Sequence, residues 1–412
     1  MFRSLWYKLG INLKRTTAII NRESSYSSLA LSAKYFRFTT QNQFVLNKSR
    51  VTFICYSFCT SNFTSSDSDN SFVISYLINS CGLSESEAIT ASKKINFKTT
   101  TKPDSVLTLL KTYGITLPHI SKVITKHPSI LSANPHETLK PKLDFFKSRG
   151  ICENDLAYFI SRFPGFLRRS LNERIVPVFD ILKSIVHTDE NVNKLIRRVT
   201  WVLNVNLLKS LMVNLEVLRS EGVPEANISK YLVRQPRVFI GDADKFRKIV
   251  EKTKDLGFDP LNTTFLVAIH GLASMTESNW RRKMDVYKRW GWSEDQILSA
   301  FRKNPRCMTV SEEKIMAVMS ILVNEMGYDS SSAAECPLIF DCSLKERIIP
   351  RCSVIKILVS KGLIKEMISL SSLSTMVDKA FLERFVKMYG KEVPELMNVF
   401  QGQLNYQDLL QN

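Results

Sequence analysis

Residues 143–167, LDFFKSRGICENDLAYFISRFPGFL, carry a pattern that recurs from about Val106 to about Leu363. The stretch has apolar residues seven and four positions before Gly150, an aliphatic segment after it, and Pro164 fourteen positions on. Glycine adopts the left-handed conformation that ends a helix at little cost. Proline stops a helix because it lacks an amide hydrogen and restricts the residue before it. We therefore predict a unit of two α-helices followed by a short proline-led turn.

Copies of this unit are found by the spacing of glycine and proline. The complete copies are Gly114 with Pro128, Gly150 with Pro164, Gly222 with Pro236, and Gly291 with Pro305. Gly150 and Gly222 are 72 residues apart, twice the 36 between Gly114 and Gly150, which predicts a worn copy with Val186 and Thr200 in place of glycine and proline. Further degenerate copies have Gly257 with Gly271, Gly327 with Pro337, and the terminal Gly82 and Gly362. This period predicts an all-α helical-repeat solenoid, a superhelix of about eight to nine units of roughly 35 residues.

The predicted second helices have a buried side, marked by apolar residues four positions apart. These pairs are Ile120 and Ile124, Leu156 and Ile160, Val192 and Ile196, Ile228 and Leu232, and Ile297 and Phe301. Ser84 with Glu87, and Ser293 with Gln296, have the spacing of capping boxes that begin helices. Two apolar residues after each proline would dock the short turn. Beyond about Ile364 the period is lost, and residues 375–389 predict a terminal helix.

The formal net charge of +18 is unevenly distributed. Residues 1–66 hold nine Lys or Arg against the single Glu23, and the segment begins with an amphipathic, acid-poor stretch, as organellar transit peptides do. We expect a transit peptide and leader over residues 1–66, a polar linker over 67–71, the repeat array over 72–400 and a polar tail over 401–412. Mitochondrion is the favoured destination because the basic character starts at the first residues, with chloroplast as the alternative.

Several classes of protein are not supported by the sequence. No apolar run approaches the roughly 18 residues of a membrane span. The eight cysteines form no CxxC pair, and the five histidines are scattered, so we expect reduced thiols and no metal site. Phosphate-binding glycine loops and hydrolase motifs are missing from the sequence. We predict neither an enzymatic activity nor a cofactor.

The proline motifs resemble those of one family. HPSIL at 127–131, FPGFL at 163–167, QPRVF at 235–239 and NPRCM at 304–308 resemble the mitochondrial transcription termination factor (mTERF) family, as does CPLIFDCSLKERIIPR at 336–351, which is similar to a late repeat of its plant members. The resemblance covers roughly residues 72–400. It implies an organellar nucleic-acid-binding superhelix that regulates transcription, most concretely by binding double-stranded DNA. An RNA role in intron splicing or ribosomal RNA maturation is equally allowed.

Two sets of basic residues recur at fixed positions of the repeat. The pre-proline column lies two positions before the proline or its replacement and is interrupted only at Ile269; its members are Lys126, Arg162, Arg198, Arg234 and Lys303. The pre-glycine column lies three positions before each glycine or its replacement: Lys111, Lys147, Lys183, Arg219, Lys254 and Lys288. A residue repeated at one phase of a solenoid forms a line on one surface, and lines of positive charge suit a phosphate backbone. We predict that both columns contact nucleic acid.

Other interpretations of these residues stay open. Both columns fall in the last turn of a helix, where a cation stabilises the helix dipole by roughly 0.3–1 kcal/mol without any ligand. Trp280, Trp290 and Trp292 flank basic residues and could stack on bases, but Trp292 occupies a core position of the repeat. Helical solenoids also serve as scaffolds for protein partners, which is the alternative of another class. We expect a monomer with no membrane contact.

Overall fold

The computed structural model of the chain describes residues 65–404. Within this range the structure is all-helical and contains no β-strand, which confirms the predicted fold class. The predicted leader therefore lies almost entirely outside the described residues, as does most of the predicted tail. Contacts divide the chain into two compact units, residues 1–181 and 182–412.

The first unit contains three helix pairs and the start of a fourth. In chain order its helices are α1 (Ser65–Cys81), α2 (Glu85–Ser92), α3 (Thr101–Thr112), α4 (Leu117–Lys126), α5 (Lys140–Ser148), α6 (Glu153–Arg162) and α7 (Val176–Val186), the last of which continues past the unit boundary. Short 3-10 turns follow the second helices at Pro128–Ser132 and Pro164–Arg168. The helix α1 includes residues 67–71, for which the sequence suggested a linker.

The second unit continues the same alternation. Its helices are α8 (Asp189–Arg198), α9 (Val205–Ser220), α10 (Glu225–Arg234), α11 (Ala243–Asp255), α12 (Thr263–Ala273), α13 (Glu277–Arg289), α14 (Glu294–Lys303), α15 (Glu312–Met319), α16 (Ser330–Glu335), α17 (Ile349–Ser360), α18 (Leu370–Thr375), α19 (Asp378–Phe381) and α20 (Leu396–Phe400). Its 3-10 turns are Thr200–Leu203, Pro236–Phe239, Pro305–Met308 and Pro337–Asp341. One-turn π-helical segments lie at Pro135–Leu139, Leu171–Ile175, Ser320–Glu325, Leu344–Ile348 and Leu382–Lys387.

Left-handed residues end the first helix of each pair. Every glycine that marks a copy of the repeat, from Gly82 to Gly362, has a positive φ, as predicted. The worn copy differs by one residue: Val186 is still helical, and the left-handed position passes to His187, whose φ is 71°. The prediction that Val186 takes the place of glycine was therefore wrong by one position. The reason is that β-branched valine is strongly disfavoured at positive φ, whereas histidine tolerates it better.

Second helices of consecutive repeats pack side by side within each unit. In the first unit α4 packs on α6, and in the second α8 packs on α10 and α14 on α16. All five predicted apolar pairs of the second helices are buried. Both predicted capping boxes are present, since the Ser84 and Ser293 side chains and their partners Glu87 and Gln296 exchange hydrogen bonds with the backbone.

The proline-led turns dock through the two apolar residues that follow. Ile130 and Leu131, and likewise Phe166 and Leu167, are buried in the first unit. Thr200 replaces proline without loss of the turn, and Val202 behind it is buried. These turns hold the end of each second helix, and with it the pre-proline residue, at the same place in each repeat.

Buried polar side chains attach three of these turns to first helices. Lys142, Asn214 and Lys283 each lie eight positions before the glycine of their repeat and are buried. Their nitrogen atoms donate to backbone oxygens at or after the turn, on Leu167, Phe239 and Val310 respectively. The sequence pattern did not reveal this position.

The repeat with Gly271 lacks the turn. Helix α12 runs through Gly271 to Ala273, because no proline interrupts it, and the next helix begins at Glu277. Ala273 and Ser274 occupy the positions of the buried apolar pair found in other repeats. Because Ala273 and Ser274 are small, the space beside them is not filled by side chains of this repeat.

The C-terminal end of the chain differs from the prediction of one helix over residues 375–389. Helix α18 ends at Thr375, Met376 takes an extended ψ of 130°, and α19 with the following π-helical segment covers residues 378–387. The fully buried Arg351 donates to the backbone oxygens of Leu373 (2.8 Å) and Met376 (2.7 Å). These long-range hydrogen bonds stabilise the non-helical backbone between α18 and α19. No local feature of the sequence predicts them.

Candidate nucleic-acid interface

The pre-proline column lies at the ends of second helices. Its members Lys126, Arg162, Arg198, Arg234 and Lys303 are the last residues of α4, α6, α8, α10 and α14, and all five are exposed. The helix ends there because the next residue takes an extended φ before the turn, as Phe163 does at −132°. The structure places each side chain as predicted, and each unit can be described separately.

In the first unit, Lys126 and Arg162 contact neutral groups. Lys126 Nζ donates to the backbone oxygens of Ser161 (3.0 Å) and Arg162 (3.3 Å), which are the last carbonyls of the following second helix. The Arg162 guanidinium lies 5.0 Å from the ring centroid of Tyr158. Within the described residues neither cation has a carboxylate partner.

In the second unit the column behaves in two ways. Arg198 Nη1 donates to the backbone oxygen of Arg234 (3.0 Å), repeating the contact that Lys126 makes. The Arg234 side chain has no hydrogen bond or ion pair in the described part of the chain. Lys303, by contrast, forms an ion pair with the carboxylate of Glu335. Lys126 and Arg198 thus donate some of their hydrogen bonds to the end of a neighbouring helix, in line with the helix-dipole interpretation. Neither is paired with a carboxylate among the described residues.

The pre-glycine column is largely neutralised by carboxylates. Its ion pairs are Lys147 with Glu153 (3.7 Å), Lys183 with Asp189 (2.8 Å), Arg219 with Glu216 (2.7 Å) and Glu225, Lys254 with Glu221 (2.6 Å), and Lys288 with Glu294 (3.3 Å). The hydrogen bond from the Arg219 guanidinium to the Glu225 carboxylate raises the pKa of Arg219 above its ordinary value. Four of these partners stand six residues after the cation, at the start of the second helix. Lys111 has Leu117 at that position and has no ion pair within residues 65–404.

A further column lies four residues before Lys126, Arg162, Arg198 and Arg234, and three of its four members are lysine; before Lys303 the same position is Ser299. The sequence prediction did not include this column. We call Lys122, Tyr158, Lys194 and Lys230 the second-helix column, and all four side chains are exposed. Residues four apart lie on the same side of a helix, so each stands beside a pre-proline residue. Lys194 pairs with Glu190 at 2.7 Å, whereas no ion pair of Lys122 or Lys230 occurs among the described side chains. The i, i+4 spacing was the signal that could have revealed it.

The surroundings of His127 in the first unit are positive. Burial lowers the pKa of His127, and the charges of Arg168, Lys126 and Lys94 lower it further. A histidine whose titration responds to three cations lies in a positive potential. An anion bound at this end of the helices would therefore meet a favourable field.

The three tryptophans of the segment 280–292 differ in burial. Trp292 is 3% exposed and stacks on Tyr287 with a centroid separation of 4.6 Å, as expected for a core position. Trp280 packs edge-on against Phe301 at 5.0 Å. Lys283, one of the basic residues between them, is buried. Burial therefore removes Trp292 as a base-stacking candidate, whereas Trp280 and Trp290 are half-buried.

The described residues show no arrangement typical of metal or thiol chemistry. Nowhere in residues 65–404 do three His, Cys, Asp or Glu side chains lie close enough together to hold a metal ion. Cys307 and Cys352 are buried, and burial raises the pKa of each to about 12. Such thiols are protonated at neutral pH and act as apolar filler.

None of the helices in the described range is long and apolar enough to span a membrane.

Comparison with known proteins identifies the family. The family model named mTERF matches residues 107–271 and 269–382, and the two matches meet at the repeat that has Gly271. A search of curated proteins returned no significant match. Proteins of the mTERF family are organellar, nucleic-acid-binding helical-repeat proteins. Because the two matches together cover well over half of the chain, and because the helices, turns and glycine caps follow the same period, the protein belongs to the mTERF family.

Proposed function

We propose that the protein binds double-stranded DNA through the pre-proline and second-helix columns and thereby regulates organellar transcription, including termination. The observation that carries this proposal is the contrast between the two predicted columns. Lys126, Arg162, Arg198 and Arg234 are exposed cations without carboxylate partners among the described residues, whereas most pre-glycine cations are paired. Exposed cations without carboxylate partners can contact the phosphates of a nucleic acid.

Phosphate contacts position the protein but do not read sequence. The two columns would therefore supply affinity and a strong salt dependence, and other groups would recognise the bases. We further propose a mitochondrial site of action, with chloroplast as the alternative, and a monomer that acts without catalysis or a cofactor.

RNA binding is the second candidate, and Tyr158 favours it. This side chain is 41% exposed and stands in a column that is otherwise lysine, next to Arg162. An exposed ring beside a cation can stack on an unpaired base, which single strands offer and intact duplexes do not. A scaffold for protein partners is the third candidate and predicts no dependence on these cations.

The test compares two double variants of the full-length protein. Arg162→Gln with Arg234→Gln removes two cations that lack carboxylate partners in the described range. Lys147→Gln with Lys288→Gln removes two ion-paired cations that are also exposed and in a last helical turn, so the helix-dipole effect is matched. Binding to duplex DNA, single-stranded RNA and structured RNA is measured by fluorescence anisotropy across a salt series.

The first variant is expected to weaken binding. For each phosphate that the variant no longer neutralises, the slope of log K against log salt should fall by about 0.9 on duplex DNA, or about 0.7 on a single strand. The second variant is expected to change little. Equal effects of both variants would refute the assignment of the columns. A flat salt response of the wild type would favour the protein scaffold, and tighter binding to either RNA would favour the RNA candidate.

A further inference from the structure

The second unit contains a cavity of about 380 Å³ that the proposed function does not use. It lies between the turn that follows α10, the first half of α11 and the end of α12. Phe246 and Ile249 contribute apolar wall, and Arg237, Lys245 and His270 contribute nitrogen atoms. A volume of this size is at the small end of sites for organic ligands.

The cavity has a cause in the repeat register. In other repeats a buried apolar pair follows the proline position, such as Phe166 and Leu167, and packs against the first helix of the repeat. Here Ala273 and Ser274 stand at those positions and line the cavity instead. Small side chains in place of large ones leave unfilled volume, which costs stability unless something occupies it.

The polar groups of the wall specify the chemistry of an occupant. Asn214 is 0% exposed, and its amide nitrogen donates to the Phe239 oxygen at 3.0 Å. Its Oδ1 atom is buried and accepts no hydrogen bond from the described residues. Arg237 and Lys245 add two cations. The one carboxylate of the wall, Asp242, already accepts the backbone N–H of Lys245 at 2.8 Å.

We propose that this cavity binds a single nucleotide. The planar base fills the space left by Ala273 and Ser274 against Phe246 and Ile249, and its N–H groups supply the donor that Asn214 lacks. The phosphate lies against Arg237 and Lys245. The occupant is either a free nucleoside monophosphate or an unpaired nucleotide of a bound strand, and only the second source rests on the proposed function.

The experiment uses the full-length chain and four nucleoside monophosphates, AMP, GMP, CMP and UMP, in thermal-shift titrations. We expect at least one to raise the Tm of the wild type by several degrees at saturation, because a ligand of the folded state stabilises it by mass action. Ala273→Phe with Ser274→Leu restores the apolar pair and is expected to abolish this shift. Arg237→Gln is expected to weaken binding by about tenfold or more through loss of a charge-assisted hydrogen bond. Arg247→Gln removes a cation of α11 that does not line the cavity, pairs with Asp244 and should leave binding unchanged.

A second arm separates the two sources of the nucleotide. Oligonucleotide duplexes with one unpaired nucleotide are compared with fully paired ones, for the wild type and for the filled variant. A preference for the unpaired nucleotide that disappears in the filled variant, or in Arg237→Gln if the filled variant does not fold, supports occupancy by the strand. The inference is overturned if no monophosphate shifts the wild-type Tm and the filled variant binds both duplexes as the wild type does. If the wild type binds no oligonucleotide, the proposed function is wrong. The monophosphate titration would still show whether the cavity binds a nucleotide.

Discussion

Single residues of the same type, at the same point of successive helices, differ in their partners. Arg219 and Arg234 both stand in a last helical turn, yet Arg219 bonds two carboxylates and Arg234 has neither a hydrogen bond nor an ion pair among the described residues. Exposed ion pairs contribute little to stability, roughly 0–1 kcal/mol, but they cancel charge that a phosphate would otherwise meet. The partner of a cation, more than its position in the repeat, therefore decides whether it is available for binding.

The left-handed position after each first helix allows a prediction with opposite signs at two sites. His187 has a φ of 71° and carries a Cβ atom, so His187→Gly is expected to stabilise the fold by about 0.5–1 kcal/mol. Gly222 has a φ of 81° with nothing within 4 Å of an added Cβ, so Gly222→Ala is expected to destabilise it by about 1 kcal/mol from backbone strain alone. Urea unfolding of both variants measures these changes. A stabilising Gly222→Ala would contradict the explanation.

At the scale of elements, the short turn after each second helix determines how the repeat packs and where its pre-proline residue lies. Where proline is present, the second helix stops, its last residue is exposed, and one or both of the apolar residues after the proline are buried. Thr200 preserves this arrangement, whereas Gly271 does not, since α12 continues past it. Replacement of the proline therefore leaves the turn intact in the repeat with Thr200. In the repeat with Gly271 the turn is lost and a cavity is present.

Substitution of these two residues by proline is expected to have opposite effects. Val199 has φ −143° and ψ 81°, close to the values of Phe163 before Pro164, so Thr200→Pro should fit and stabilise the protein by about 0.4–1 kcal/mol. Gly271 lies inside α12, so Gly271→Pro should cost about 3 kcal/mol or more by removing a helical hydrogen bond. Chemical denaturation, with circular dichroism as the signal, compares both with the wild type. Equal effects of the two substitutions would show that the local backbone does not decide the outcome.

At the scale of the whole molecule, each unit holds a histidine that burial keeps neutral. Burial is the largest cause of the lowered pKa of both His127 and His270, and nearby cations add to it. The unfolded chain therefore takes up these protons at a higher pH than the folded one. Stability contributed by the neutral rings is present above the unfolded pKa of about 6.5 and is lost as the pH falls below it.

This linkage predicts a specific pH dependence. The free energy of unfolding of the wild type should decrease between pH values of about 7.5 and 5.5, and the double variant His127→Gln with His270→Gln should show a smaller decrease. Denaturant titrations at the two pH values provide the comparison. A variant that loses as much stability as the wild type would show that other groups cause the pH dependence.

The sequence by itself determined the repeat. Its period, the glycine caps, the proline stops and the buried apolar pairs all depend on residues within one unit of roughly 35 residues. Backbone preferences and helical periodicity act over such short distances, so the pattern predicts them directly. The pre-proline and pre-glycine columns were visible for the same reason, as fixed positions within each copy.

Packing of the repeats was needed to show which contacts form between them and where the chain leaves space. Lys254 meets Glu221 and Lys126 meets the Ser161 carbonyl from neighbouring repeats, contacts that span 33 and 35 residues. The cavity beside Ala273 likewise depends on how α9, α11 and α12 meet. Side chains carry no local mark of a partner in the next repeat, because that partner is set by the packing of helices against each other. The acids six residues after four of the pre-glycine cations were therefore readable in the sequence, whereas the partners of Lys254 and Lys126 depend on how one repeat packs on the next.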